Sequence, residues 1–123
     1  MLLTYEDSVM LNKYFKRKEF ACRCGCGTST VDAELLQVLT DVREHFGAPV
    51  VVNSGHRCSK HNSNVGGARG SKHLLGIAAD ISVKGVSPIK VREYLCNKYP
   101  DKYGIGAYPN FTHIDVRSNK ARW

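Results

Sequence analysis

Two segments of the chain carry residue types that bind divalent metal ions. Residues 71–80 contain His73 and Asp80, and residues 111–116 contain His113. Two imidazoles and one carboxylate are the usual protein ligands of a hydrolytic zinc ion, and they leave a fourth position open for water. These residue types therefore predict a zinc site formed by His73, Asp80 and His113.

A second interpretation of the same residues stays open at this point. Asp80 lies inside an apolar run, residues 77–83, where an unpaired buried carboxylate would be costly. A metal ion would satisfy it, but so would a salt bridge to Arg57 or Arg69. Separated histidine and aspartate triplets also arise easily by chance, so their spacing alone does not distinguish a metal site from unrelated polar residues.

Two helices are predicted from apolar spacing and capping residues. The first begins after Thr30 or Asp32 and ends at Gly47. Its apolar side chains recur at helical intervals: Leu35, Leu36, Val38, Leu39, Val42 and Phe46. The second helix begins at Pro88 and runs through Tyr99.

The remaining pattern predicts strands at residues 50–54, 78–83 and 112–116, with a strand or turn at 102–106. Residues 55–70 are predicted to form a long loop, a kind of segment that is often functional. Alternation in the last strand places His113, Asp115 and Arg117 on one face. The whole pattern predicts a small α+β fold, one domain over residues 1–123, with helices beside an antiparallel sheet.

Composition and charge limit the classes of partner. The 123-residue chain has a formal net charge of +7, which suits polyanionic surroundings, although solubility alone would also explain it. It shows no RNP-like pattern or helix-turn-helix signal, so we expect no nucleic-acid partner. No apolar run approaches the ~20 residues of a membrane helix. We expect a monomer without a signal peptide.

The five cysteines are unevenly spaced, and their odd number leaves at least one thiol unpaired if the others form disulfides: Cys22, Cys24, Cys26, Cys58 and Cys96. Cys24 and Cys26, together with Cys58 and His61, could form a small structural zinc site. A disulfide that joins the N-terminal loop to residues 55–70, or reduced thiols, are the alternatives.

The motifs resemble a known family. The pattern Ser71-x-His73-x-x-Gly76-x-Ala78-x-Asp80, followed by His113 in a strand, is similar to that of zinc D-Ala-D-Ala carboxypeptidases and L-alanyl-D-glutamate endopeptidases. Other matching elements lie at residues 54–57 and 62–67, while residues 19–26 and 104–109 resemble small phage or prophage members. The resemblance covers about residues 19–117. It implies the fold shared with the hedgehog signalling domain and an action on peptidoglycan peptides.

The resemblance implies roles for individual residues. His73, Asp80 and His113 would be the zinc ligands, and Ser71 would contribute to substrate binding. Arg57 would bind a substrate carboxylate or stabilise an oxyanion, since its guanidinium is always charged and forked. A purely structural salt bridge is the alternative for Arg57.

The chain departs from the family pattern just before the last histidine. Many members place a glutamate, aspartate or histidine there, whereas this chain has Asn110 and Phe111, which cannot take up a proton. Asp115 is the nearest candidate for the general base and acid. It could equally orient His113 or pair with a neighbouring arginine. The histidines at positions 56 and 61 are weaker candidates.

The predicted function is therefore a zinc-dependent peptidase that acts on peptidoglycan, either as a carboxypeptidase or as an endopeptidase. Without a signal peptide, it would resemble a phage lysin made in the host cytoplasm, although a bacterial enzyme remains an alternative. A non-catalytic zinc-containing wall-binding module of the same fold is the main alternative function. A small interaction protein built on the cysteine loop is a third.

Overall fold

A five-stranded sheet organises the computed structural model, which describes residues 10–26, 29–67 and 70–123. The strands lie in the order β1-β2-β4-β3-β5. Their bounds are Val50–Ser54 for β1, Ala78–Val83 for β2, Gly104–Ala107 for β3, Thr112–Asp115 for β4 and Ala121–Arg122 for β5. The predicted strands at residues 50–54 and 78–83 match β1 and β2, the predicted strand or turn at 102–106 overlaps β3, and β4 ends one residue earlier than predicted.

The predicted α+β class is confirmed, and four of the five strands are antiparallel as expected. β5 differs, because it pairs with β3 in the parallel direction. Its two residues are too few to produce a pattern in the sequence. The sheet is therefore mixed at one edge.

Helix α1 spans Ala33–Phe46 and helix α3 spans Pro88–Lys98. The Asp32 side chain accepts hydrogen bonds from two backbone amides of the first turn of α1, so Asp32 is the N-cap. Gly47 ends this helix in a left-handed conformation, with φ of 60°. Both helices agree with the sequence prediction to within a residue or two.

The long loop predicted at residues 55–70 contains a short helix, α2, at Ser59–Asn64. The prediction of a loop is wrong there because this helix is polar throughout and carries no apolar periodicity. It is started instead by Cys58, whose sulfur accepts a hydrogen bond from the His61 amide. Two 3-10 helices complete the described structure, at Arg17–Phe20 and Lys72–Leu75.

The apolar core lies between the helices and one face of the sheet. Helix α1 contacts β1 and β2, while α3 contacts β2, β3 and β4. Alternate strand residues enter this core, including Ala79, Ile81, Ile105 and Ile114. Because neighbours along a strand point to opposite faces, Asp80 and His113 are directed to the other side. No helix in the described part of the chain is both long and apolar enough to cross a membrane.

Candidate metal centre

Two central strands bring the first pair of predicted ligands together. Asp80 of β2 lies directly opposite His113 of β4 in the antiparallel register. Directly paired residues on one sheet face have neighbouring side chains. The His113 Nδ1 atom lies 2.9 Å from the Asp80 Oδ1 atom, and both residues are buried.

The third predicted ligand, His73, comes from the 3-10 helix before β2. The Ser71 hydroxyl caps this helix and accepts a hydrogen bond of 3.2 Å from the His73 amide. Gly76 ends the helix with φ of 72°, a conformation that suits glycine and turns the chain into β2. The His73 Nε2 atom then lies 3.3 Å from the Asp80 Oδ2 atom.

These three side chains fit a metal ion by their chemistry. Their ligand atoms all lie within 4.8 Å of one another. The His73 Nδ1 atom is 2.7 Å from the carbonyl oxygen of Gly55, and the His113 Nε2 atom is 2.7 Å from the Asp115 carboxylate. Each imidazole therefore has one nitrogen held by a protein acceptor and the other directed at Asp80. This is the arrangement of zinc-binding histidines, whose outer nitrogen donates to a carbonyl or carboxylate.

The pKa values reflect this concentration of opposite charges. Burial opposes ionisation of Asp80, but hydrogen bonds from His113 and His73 outweigh it and lower the pKa of Asp80 to about 2. Burial also disfavours the charged imidazole of His113. The hydrogen bonds to Asp115 and Asp80 nevertheless raise the pKa of His113 above its ordinary value. Protonated His113 thus neutralises the carboxylates that a metal ion would otherwise neutralise.

Asp115 lies behind His113 and is fully buried. Arg117 donates two hydrogen bonds of 2.7 Å to its carboxylate, from Nε and Nη2. Burial alone would raise the pKa of Asp115, but the hydrogen bonds from Arg117 and His113 hold it well below its usual range. A carboxylate engaged on both oxygens and closed off from the surface suits the orienting role better than proton transfer to a substrate.

Arg57 reaches the same cluster from the loop that follows β1. Its Nη2 atom lies 3.5 Å from the Asp80 Oδ2 atom. The Asn62 side chain accepts a hydrogen bond of 3.1 Å from Nη1, and the Ser54 hydroxyl accepts one of 3.3 Å from Nε. The guanidinium is therefore held at the edge of the cluster in one orientation. Arg69, the other cation considered for Asp80, lies outside the described residues.

A cavity of about 380 Å³ opens above these residues and is lined by Arg57, Ser71, His73, Asp80 and His113, among others. One side is an aromatic wall formed by Tyr108, Phe111 and Trp123. The Tyr108 and Phe111 rings stack with centroids 4.6 Å apart. The Trp123 indole donates a hydrogen bond of 2.8 Å to the Tyr108 hydroxyl.

Sequence reasoning missed this aromatic wall. The sequence identifies Phe111 only as a residue that cannot take up a proton, and Trp123 lies outside the family motifs. Trp123 reaches the site because β5 pairs with β3. Gly106 of β3 provides the space, since a Cβ there would lie 2.3 Å from the Trp123 Nε1 atom. The glycines of the Gly104-Ile105-Gly106 run were the available signal, because a strand glycine often marks a close approach.

The two weaker candidates for the general base have other contacts. The His56 Nδ1 atom accepts a hydrogen bond from the Thr30 amide, and its Nε2 atom lies 3.2 Å from the Leu74 carbonyl oxygen. His61 lies on helix α2, where its amide donates to Cys58. Among the described residues that line the cavity, neither histidine is present.

The described residues contain a second group with metal-binding side chains, made of Cys22, Cys24, Cys26 and Cys58. The sequence prediction had included His61 in this set and omitted Cys22. The structure thus changes one of the four members. The difference arises because the prediction combined two closely spaced pairs, Cys24-x-Cys26 and Cys58-x-x-His61, whereas in the fold the Cys22 sulfur lies 3.8 Å from that of Cys58.

A comparison with protein families matches residues 13–115 of the chain to the family described as Peptidase M15. The matched range includes every predicted ligand and Arg57, and it covers most of the 123 residues. A comparison with curated proteins finds no match.

Proposed function

The chain belongs to the peptidase M15 family, which makes it a metallopeptidase by descent, and from this we propose that it is a zinc-dependent peptidase that hydrolyses the stem peptides or cross-links of bacterial peptidoglycan. One observation carries the proposal. Two histidines and one aspartate, in the family's motif positions, converge within 4.8 Å at the floor of an open cavity. A structural salt-bridge cluster would not need a cavity above it.

In this proposal His73, Asp80 and His113 hold the zinc ion. The bound ion supplies Lewis-acid activation of water and of the scissile carbonyl. Asp115 keeps the proton of His113 on Nε2 and so directs the Nδ1 lone pair toward the ion. Arg57, fixed in orientation by its neighbours, binds a substrate carboxylate or the developing oxyanion. The role of Asp115 as the general base remains a prediction.

The charge of the cavity supports an anionic peptide as substrate. Three cations line it, Arg57, Lys72 and Arg117, and the one carboxylate among its described lining residues is Asp80. Because Arg117 is already paired with Asp115, Arg57 and Lys72 are the cations offered to a substrate. Asp80 itself would be neutralised by the metal ion. Stem peptides carry free carboxylates, and the net charge of +7 would favour accumulation on an anionic wall. We infer a monomer that acts at the bacterial wall in the manner of a phage lysin.

The non-catalytic wall-binding module remains the second candidate, and one observation favours it. Within the described lining of the cavity, no carboxylate besides Asp80 is available to move a proton. Phe111 occupies one of the two positions where the family often places such a group and packs on Tyr108 instead. A protein that binds zinc and wall peptides without hydrolysis would have this composition.

The experiment is mass spectrometry of purified peptidoglycan after incubation with the protein, with and without a zinc chelator. We expect new peptide ends that disappear with the chelator and return with zinc, and their masses would identify the bond that is cut. His113→Ala should abolish the cleavage. His45→Ala is the matched control, because His45 is exposed and stacks on Tyr94, away from the cavity.

Two results would contradict the proposed zinc-dependent peptidase activity. One is protein that holds zinc and sediments with intact wall fragments yet produces no new ends from several wall types, which would establish the binding module. The other is cleavage that is unaffected by chelation and by His113→Ala.

A further inference from the structure

Four sulfur atoms converge at the N-terminal side of the molecule, outside the candidate active site. The Cys22 sulfur lies 3.5 Å from that of Cys24 and 3.8 Å from that of Cys58, and the last two are 3.7 Å apart. Cys26 belongs to the same group, in which all sulfurs lie within 4.8 Å of one another. In a tetrahedral zinc site, Zn–S bonds of about 2.3 Å place the sulfurs about 3.8 Å apart. These three separations therefore match the spacing expected for a four-thiolate zinc site.

The backbone around these cysteines contacts two of the four sulfurs directly. The Cys58 amide donates a hydrogen bond of 3.4 Å to the Cys22 sulfur, and the His61 amide donates one of 3.4 Å to the Cys58 sulfur. Backbone N–H groups are thus already directed at two of the four sulfurs. Gly25, with φ of 82°, allows the tight turn that folds Cys24 and Cys26 back toward Cys22.

A disulfide fits the positions of these sulfurs less well than a metal ion does. An S–S bond is about 2.05 Å long, so any pair would have to approach by well over an ångström. Three sulfurs lie mutually within 3.8 Å, and one metal ion can bind all three at once, whereas a disulfide joins only two of them. A closed set of four thiolates is the usual composition of a structural zinc site.

The position of the cluster indicates what a metal ion there would hold in place. Cys58 directly follows Arg57, whose guanidinium lies 3.5 Å from Asp80. Three residues earlier, the Gly55 carbonyl contacts the His73 imidazole at 2.7 Å. Residues 55–58 thus join the cysteine cluster to the candidate active site. The N-terminal segment packs tightly against them, since a Cβ on Gly55 would lie 2.7 Å from the backbone of Phe20.

We propose that Cys22, Cys24, Cys26 and Cys58 bind one structural zinc ion, which fastens the N-terminal segment to residues 55–58. The metal-binding part of this inference does not depend on the proposed peptidase function. The ion closes four thiolates around itself and leaves no position for water, so it takes no part in hydrolysis. Its contribution is to hold the segment that carries Arg57.

Metal analysis of purified protein is the first test, and we expect about two zinc ions per chain. The double variant Cys24→Ser/Cys26→Ser should keep about one ion, bound at the histidines. Cys24 and Cys26 are exposed, so this variant should retain its core. Cys96→Ser is the matched control. Cys96 packs beside the apolar core and outside the cluster, so this variant should keep both ions bound.

Three further readouts test the proposal, and the last two need only the wild-type protein. In the cobalt-substituted protein, we expect thiolate-to-cobalt charge-transfer absorption that survives His73→Ala/His113→Ala and disappears in the double cysteine variant. In the wild-type protein, Cys24 and Cys26 should resist alkylation until a chelator is added, although both are exposed. The amide of His56, which bonds the Phe20 carbonyl, should exchange faster once the metal is removed.

Several results would overturn the proposal. These are a zinc content that is the same in the wild type and the double cysteine variant, rapid alkylation of Cys24 and Cys26 before chelation, or an unreduced mass that reveals a disulfide within the four. Iron in place of zinc in the purified protein would overturn the identity of the ion. None of these results would bear on hydrolysis, which is tested separately by His113→Ala.

Discussion

At the scale of single residues, the site depends on which nitrogen of each histidine carries the proton. His113 lies between two carboxylates, with Nδ1 2.9 Å from Asp80 and Nε2 2.7 Å from Asp115. Asp115 is in turn held by two hydrogen bonds from Arg117. A carboxylate in this position fixes both the tautomer and the ring orientation of the metal ligand. Asp115 is also the candidate for the general base. Its orienting role and its role as a base predict different effects of substitution.

Asp115→Asn distinguishes these roles. An orienting carboxylate predicts that zinc affinity at the histidine site falls by about 10- to 100-fold, with activity restored in part by excess zinc. We would measure affinity by chelator competition, followed through the fluorescence of Trp123, the single tryptophan, which lies 5.1 Å from His113. Asp101→Asn, at an exposed position, is the control. Unchanged zinc affinity with a large loss of turnover would instead establish Asp115 as the base.

At the scale of secondary structure, the glycines of β3 make room for the site. Gly104 and Gly106 lie opposite Asp115 and His113 in the register of β3 with β4. They share the sheet face of these two residues, so any side chain there would enter the layer occupied by Arg117 and Trp123. The glycines of β3 are therefore needed because the Arg117 and Trp123 side chains pack directly on this strand.

Gly104→Ala should disrupt this layer. Its Cβ would lie 2.5 Å from Asp115 Oδ2 and 2.7 Å from Arg117 Nε, and the Asp115 side chain is fully buried. We expect a loss of about 1–3 kcal/mol in the free energy of unfolding, together with weaker zinc binding. Thermal and denaturant unfolding would measure the first, and chelator competition the second.

Gly70→Ala is the control for this change in stability, because a Cβ at Gly70 meets nothing within 4 Å. Equal stability of the two variants would show that the Asp115 and Arg117 pair tolerates displacement.

At the scale of the whole molecule, the sheet separates two environments. One face carries the apolar core against α1 and α3, and the other gathers the charged groups of the cavity. Charged groups on that face interact strongly because several are buried. The stability of the whole fold should therefore depend on how those charges are balanced, by protons in the metal-free protein and by a metal ion otherwise.

The pH dependence of stability should differ between the two states. The pKa of His113 is raised above 6.5 in the metal-free fold, so its stabilisation is present below about pH 6.5 and is lost as pH rises through the folded pKa. Asp80, with a pKa of about 2, stays ionised throughout this range. The melting temperature of chelated protein should therefore fall as pH rises above about 6.5. The stabilisation that zinc provides should instead increase with rising pH, because zinc binds the neutral imidazole.

Melting curves of the wild type and His113→Gln, each with zinc and with chelator, would check this prediction. In the metal-free His113→Gln protein, the melting temperature should decrease much less with rising pH than in the metal-free wild type. A metal-free wild type whose melting temperature rises over the same interval would contradict the assigned direction.

The local features of the fold were predictable from sequence because each is determined by neighbouring residues. The helix cap, predicted at Thr30 or Asp32, and the helix end at Gly47 act within a few positions, and the structure places them at Asp32 and Gly47. The shared face of His113 and Asp115 in β4 is equally local, and their side chains are in contact. Helix α2 escaped prediction because a polar segment capped by Cys58 has no periodic signal. β5 escaped because two residues carry no pattern.

The sequence by itself determined the family and the residue types of the predicted metal site, since motif spacing is a property of the chain. Only the tertiary structure decided which distant residues share a site. The order of strands places Asp80 beside His113, β5 brings Trp123 to the cavity, and the packing of the N-terminal segment sets Cys22 against Cys58. Periodicity reports whether a residue is buried, whereas its partners across the fold depend on strand order and on the path of the chain between elements.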